Sequence, residues 1–285
     1  MQSFLKTQDI YFLLILIPVI IFLILRAKNE SILFMQKEYK ILKNIIEKLA
    51  SKNNLGSYPL TFTITTGSRT LWIAESLGIC KSGSCSFIKR INPFVRYKGS
   101  YSVEINEAIR QSYLLDGIEA CAFSNGQIEI SRSSFRNNEK LHDYLAFVIG
   151  HEISHVLNED SFFNSLKKNK EGEKLKYKKK KQLGYKFSRE SESKADITSA
   201  RMLLNAGYDS ETAIKAHDFI AKKSGYGYVT TKNSTHPGFE ERKENLRNFL
   251  DKHNKSENSD LKDEFTNGYW IYNRKENTLT FKIKK

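Results

Sequence analysis

The stretch "VIGHEISHVLNED", Val148 to Asp160, places His151, Glu152 and His155 in the spacing His-Glu-x-x-His. On a helix, residues four apart share a face, so the two imidazoles can converge on one tetrahedral cation. Glu152, about 100° round, can reach a water activated by that cation and act as general base. Two core histidines are the alternative, but they leave an intervening carboxylate that is costly to bury unpaired. A catalytic zinc takes a third protein ligand and keeps a fourth position open, so another donor must come from elsewhere in the chain. "SRESESKADITSARMLLNAG", Ser188 to Gly207, offers one. It reads as a helix with Ser188 as N-cap, acidic residues in its first turn and Gly207 as its stop. Glu192 and Asp196 lie four apart on it. Glu192 is suited to ligate, and Asp196 to accept a hydrogen bond from the far nitrogen of His151 and fix its tautomer. A plain solvated acidic helix start accounts for Glu190 and Lys194 but leaves that pair a coincidence.

These side chains need elements to position them. "EKLHDYLAFVIGHEISHVL", capped by Asn137 or Asn138, runs about five turns with apolar residues on most sides, as a buried helix does. Upstream, "ACAFSNGQIEIS", Ala120 to Ser131, ends in a strand with Ile128 and Ile130 on one side and Glu129 on the other, whose free edge could pair with an extended peptide. "LTFTITT", Leu60 to Thr66, is strand-like, and the segment from there to Arg96 follows no clear pattern. In "SILFMQKEYKILKNIIEKLA", Ile32, Met35, Tyr39, Leu42, Ile46 and Leu49 form one apolar stripe of an amphipathic helix. Three heptads make a marginal coiled coil, so packing on the catalytic domain is preferred over dimerisation. The tail "GYWIYNRKENTLTFKIKK" reads as a hairpin around "NRKEN".

A chain of 285 residues with 40% hydrophobic content can bury a core, which excludes global disorder. The net charge of +14 suits an anionic partner, and half of it sits in "KKNKEGEKLKYKKKK", Lys167 to Lys181, which reads as a solvated loop. Only Tyr177 interrupts that run, which argues against nucleic acid as a partner. Cys80, Cys85 and Cys121 are too few for a disulfide framework; Cys80 and Cys85 either close a small loop or stay as two unlinked thiols. Ile10 to Leu25 carries no charge over sixteen residues. With a poor cleavage site after it, this run reads as an uncleaved N-terminal transmembrane helix rather than a signal peptide. Basic residues on both flanks leave the side of the membrane open, with a tilt towards a cytoplasmic catalytic domain.

From Asn92 to Leu250 the chain resembles the gluzincin metallopeptidases of the HtpX and CAAX-prenyl-protease type, peptidase family M48. "HEISH", "SRESESKAD", "LLNAGYD" and "STHPGFEERKENL" carry the resemblance through their order and separation. It implies His151, His155 and Glu192 as ligands of one zinc ion, Glu152 as the base and Asp196 behind the ligands. It further implies His236, in "THP", as the group that stabilises the oxyanion, or as an occupant of the open zinc position in a resting enzyme. Arg242 stands at the family's arginine and would form a buried ion pair. "ACAFSNGQIEIS" resembles the family's edge strand, with Cys121 where an asparagine is expected. Peptide capture would then involve Cys121, Ala122, Ile128 and Ile130. A thiol donates a hydrogen bond poorly, which weakens carbonyl polarisation on that side.

The expectation is an α+β, mainly helical metallopeptidase domain with a small sheet at 92–253, preceded by an anchor at 1–27 and a helix-and-strand segment at 28–91, and followed by a hairpin extension at 254–285. The activity expected is zinc-assisted attack of water on peptide bonds of protein substrates, misfolded or envelope proteins, resembling single-anchor or soluble members. The rival is a membrane-tethered, chaperone-like peptide-binding module with a structural or latent zinc site. His142, His217 and His253 fit no pattern and read as structural.

Overall fold

The computed structural model describes residues 7–30, 32–115, 117–136, 139–224, 227, 229–255 and 265–284. Its elements run α1 (Thr7–Glu30), a 3-10 turn (Ile32–Phe34), α2 (Lys37–Ala50), β1 (Leu60–Thr65), α3 (Ser68–Ser76), α4 (Ser102–Leu114), β2 (Ala120–Ala122), β3 (Gln127–Ser131), α5 (Glu139–Leu157), α6 (Asp160–Glu171), α7 (Tyr177–Asn205), α8 (Thr212–Ser224), α9 (Phe239–Lys255), β4 (Gly268–Asn273) and β5 (Thr278–Ile283). Asn137 and Asn138, the expected caps of α5, lie outside the described residues. The protein is mainly helical with one small sheet, an α+β arrangement.

The sheet order is β2-β3-β1-β5-β4, with β1 parallel to β3 and the other pairs antiparallel. Sequence divisions at 91/92 and 253/254 do not divide the structure, because β1 and the terminal hairpin lie in the same sheet as β3. Tyr39 of α2 shows why they cohere. Ile64 lies past the end of β5 in the β1–β5 register; its N–H donates to the Tyr39 hydroxyl (3.1 Å), and its carbonyl accepts from Asn277 Nδ2 (2.6 Å). The Tyr39 hydroxyl in turn donates to the Asn277 carbonyl (2.5 Å), so a helix, the middle strand and the terminal turn satisfy one another's buried polar groups. Tyr39, Leu42, Ile46 and Leu49 are buried in the main core, so the stripe of α2 packs on the domain. The helix begins at Lys37, later than the apolar pattern suggests, and Ile32 stays exposed.

Three sequence expectations need correction. Ile128 and Ile130 are not an edge: β3 is paired on both sides, and both side chains are fully buried. The edge strand is β2. Ser188 does not cap a helix, since α7 starts eleven residues earlier at Tyr177. The lysine-rich stretch is accordingly no loop but the end of α6 and the start of α7, with only Gly172 to Lys176 between them. Lysine is a good helix former, and each helix supplies packing for the other: the Lys168 stem lies where a Cβ on Gly184 would stand, 2.7 Å from its Cδ. The unpatterned segment before Arg96 forms a second small core, built from Ile73, Ala74, Ile88, Ile105 and Ala108, with the thiols of Cys80 and Cys85 unlinked at its margin.

α1 is a 24-residue helix whose described side chains, such as Ile17, Phe22 and Leu25, are about half exposed. Among the described residues no helix is long and apolar enough to cross a membrane.

Candidate metal centre

α5 runs through the main core, with Leu145, Ala146, Ile149 and Ile153 fully buried. This leaves His151, Glu152 and His155 on the side that faces α7 and β2. Gly150 explains how α7 comes so close. A Cβ there would stand 2.6 Å from Ser199 Oγ, which itself donates to the Phe147 carbonyl at 2.5 Å. The contact brings Glu192, one to two turns earlier on α7, over the imidazoles.

The two Nε2 atoms of His151 and His155 are 3.0 Å apart. Glu192 Oε2 lies 3.3 Å from the first and Oε1 3.5 Å from the second. One donor atom from each of the three residues falls within 4.8 Å of the other two. The outer nitrogens decide what faces inward. His151 Nδ1 lies 2.9 Å from Asp196 Oδ1, and His155 Nδ1 lies 2.8 Å from Asp160 Oδ2. Carboxylates only accept, so each Nδ1 carries a proton, and both Nε2 atoms face each other and Glu192, where either a proton or a metal ion can take their lone pairs. Three acceptors facing one another are mutually repulsive unless protons or a metal cation lie between them. Two nitrogens at zinc-bond length from one tetrahedral ion would be separated by about 3.3 Å, close to the spacing here. The residues therefore fit zinc.

The charges agree. Burial disfavours the charged form of His151, but hydrogen bonds to Asp196 and Glu192 outweigh it and hold its pKa up at about 10. His155 is likewise disfavoured by burial and lifted to about 9 by Asp160 and Glu192. Burial raises Glu192 and Asp196, yet the imidazoles, together with Arg242 at Asp196, hold both carboxyls well below the usual carboxylate range. The pocket selects for positive charge. Arg242 grips Asp196 with Nε and Nη2 at 2.7 and 2.6 Å and reaches 3.9 Å from Glu192. His236 Nε2 lies 3.5 Å from Glu192 Oε1, with Thr235 Oγ1 2.9 Å from its Nδ1. Burial lowers the His236 pKa against the pull of Glu192.

Glu152 Oε2 accepts from the Ala122 N–H at 2.7 Å, which joins the helix to the edge strand. Phe123 N–H to Gln127 O and Ser131 N–H to Glu119 O set the β2–β3 register, so the odd-numbered residues bond to β3. The main-chain groups of Ala120 and Ala122 then face the cleft. Along this edge, a cavity of about 980 Å³ opens on one side of Glu152, walled by α3, α8 and the loop before α9. A smaller one of about 330 Å³ lies on the other side, lined by Cys121, Phe123 and Asp160.

Of the residues singled out from sequence, His151, Glu152, His155, Glu192, Asp196, His236 and Arg242 are thus gathered at one place, with Cys121 and Ala122 beside them. Ile128 and Ile130 lie inside the core. Sequence reasoning missed Asp160, whose only signal was an acid just past the helix end, and Gly150, a glycine inside an otherwise apolar helix. His217, read from sequence as structural, is buried with its ring centroid 4.4 Å from that of Phe239, and burial lowers its pKa to about 4; it also lines the larger cavity.

No curated protein and no solved structure matches the chain. Residues 106–170 and 177–250, which hold every residue of the metal cluster, match the model of Peptidase family M48, whose members use zinc. The chain belongs to Peptidase family M48.

Proposed function

We propose that the protein is a membrane-anchored zinc endopeptidase that hydrolyses peptide bonds of protein substrates, among them misfolded or envelope proteins. The observation that carries this is the set of three inward-facing acceptors beside a carboxylate tied to a sheet edge. His151, His155 and Glu192 would hold one zinc ion. Bound zinc supplies a Lewis acid that polarises a carbonyl and makes water acidic enough to attack at neutral pH. An extended substrate adds to β2 through the cleft-facing groups of Ala120 and the carbonyl of Ala122, whose N–H is held by Glu152, a mode tolerant of sequence because it reads the main chain. Glu152, at hydrogen-bond distance from that edge, takes the proton of the attacking water and returns it to the leaving amine. His236, whose Nε2 lies 3.5 Å from Glu192, donates to the oxygen that becomes negative. Asp196 and Arg242 hold His151 in place and in the right tautomer.

The anchor is the Ile10–Leu25 run of α1. Its support is the absence of charge over that run and the exposure of its described apolar side chains.

Glu152→Gln tests the reading. Zinc content should stay near one ion per chain, while casein hydrolysis falls by about 10²–10⁴-fold. Unchanged turnover in that variant would sink the mechanism. Cys121, in place of the family's asparagine, favours one second reading, a holding module. Zinc-loaded wild type that suppresses aggregation of an unfolded protein without cleaving it would establish that reading instead.

A further inference from the structure

α6 and the start of α7 form a helical hairpin beside the smaller cavity. No described side chain of α6 is buried. Phe162, Phe163 and Leu166 are 56%, 45% and 51% exposed, and Leu175 and Tyr177 at the tip are 38% and 81% exposed. The two phenylalanine rings pack edge to face with centroids 5.4 Å apart. Phe162 and Phe163 lie four and three residues before Leu166, so the three form one apolar patch on the helix. Around and beyond it, Lys167 to Lys181 holds nine lysines against two glutamates, net +7. A charge run that serves only solubility has no use for large apolar side chains in water. Lysines bordering a Phe–Leu face are instead the composition of a helix lying in the boundary layer of a bilayer, with rings at the acyl chains and ammonium groups at the phosphates.

We propose that the α6–α7 hairpin docks on an anionic lipid surface, with Phe162, Phe163 and Leu166 entering the acyl boundary and the lysines of 167–181 neutralising headgroups. The charge decides between occupants: acidic headgroups complement the whole lysine run, and acyl chains take the apolar patch, which a phosphate backbone would leave unused. This surface is distinct from α1, and its docking does not depend on whether α1 spans the membrane.

The test is position-specific, so α1 cannot mimic it. The full chain carrying Phe163→Trp is mixed with vesicles of acyl-brominated phosphatidylcholine, alone or with about one-third phosphatidylglycerol. Signal from Trp72 and Trp270 is subtracted using the unsubstituted chain. Quenching of the new indole should be at least about twofold stronger with the anionic lipid. Combined Lys178→Glu, Lys179→Glu and Lys181→Glu changes should remove the difference while the far-ultraviolet circular dichroism and its thermal midpoint stay put. Equal quenching in both lipids, or none in either, overturns the proposal. So does an emission change produced by a short DNA duplex and not by anionic vesicles, which would make the hairpin a nucleic-acid face.

Discussion

The two imidazoles of the metal centre are alike in sequence and differently supported in space. His151 leans on Asp196, which is 1% exposed and clamped by Nε and Nη2 of Arg242, so its support is a buried ion pair linking α5, α7 and α9. His155 leans on Asp160, the first residue of α6, reached through Glu159 in the left-handed region (φ 50°), with both side chains about 15% exposed. One support is part of the core, and the other belongs to a surface hairpin. The difference teaches that one metal site can couple to global stability through one ligand and to a local segment through the other.

The largest expected effect comes from Asp196→Asn. It removes the charge of the buried carboxylate that Arg242 grips at 2.6 and 2.7 Å, so stability should fall by about 3–5 kcal/mol. Zinc affinity should drop about 10–100-fold. Denaturant melts and competition with a chelator read the two separately. Next, chelator-treated protein should show a pH window. His151 and His155 have pKa values raised to about 10 and about 9 from 6.5, so their contribution to stability is complete below about 6.5 and is lost as pH climbs through 9 to 10. Glu192 and Asp196 are depressed, so theirs is present above about 4.5 and is lost as pH falls towards their low folded values. The metal-free chain is thus most stable between those limits. Zinc loading should erase the alkaline loss, because the ion replaces the protons. Thermal midpoints across pH, with and without zinc, check this; an alkaline loss that zinc leaves intact would contradict the assigned tautomers.

Gly150→Ala presses on Ser199 and so disturbs the α5–α7 contact on the His151 side, at a cost of about 1–3 kcal/mol. Asp160→Asn should be the mildest for the fold, within about 1 kcal/mol, yet still weaken zinc about tenfold. Equal stability losses in the Asp160 and Asp196 variants would abolish the distinction between the two supports.

The legible parts of the protein share a feature: their signal is local. Four-residue spacing on one helix is readable for His151 and His155, and again for Glu192 and Asp196, because helix geometry alone puts those pairs on one face. The hairpin at 268–283 was readable for a similar reason, its alternation flanking a turn. The misread parts depend on neighbours. Alternation in "QIEIS" cannot tell an edge from an interior strand, because that depends on β1, more than sixty residues earlier, arriving to pair with β3. The lysine run looks like a loop until α6 lies against α7. Asp160 carries no motif; it matters because a left-handed turn at Glu159 points it back at His155.

The sequence by itself determined the chemistry available: two imidazoles and a carboxylate at helical spacings, a second carboxylate pair downstream, and an uneven charge concentrated between them. Only the tertiary structure decided which nitrogen of each imidazole faces inward, which strand offers its edge to a peptide, and that the charged stretch is a helical hairpin. Local backbone periodicity is written in neighbouring residues, whereas tautomers, edges and docking faces are set by groups that folding brings together from distant parts of the chain.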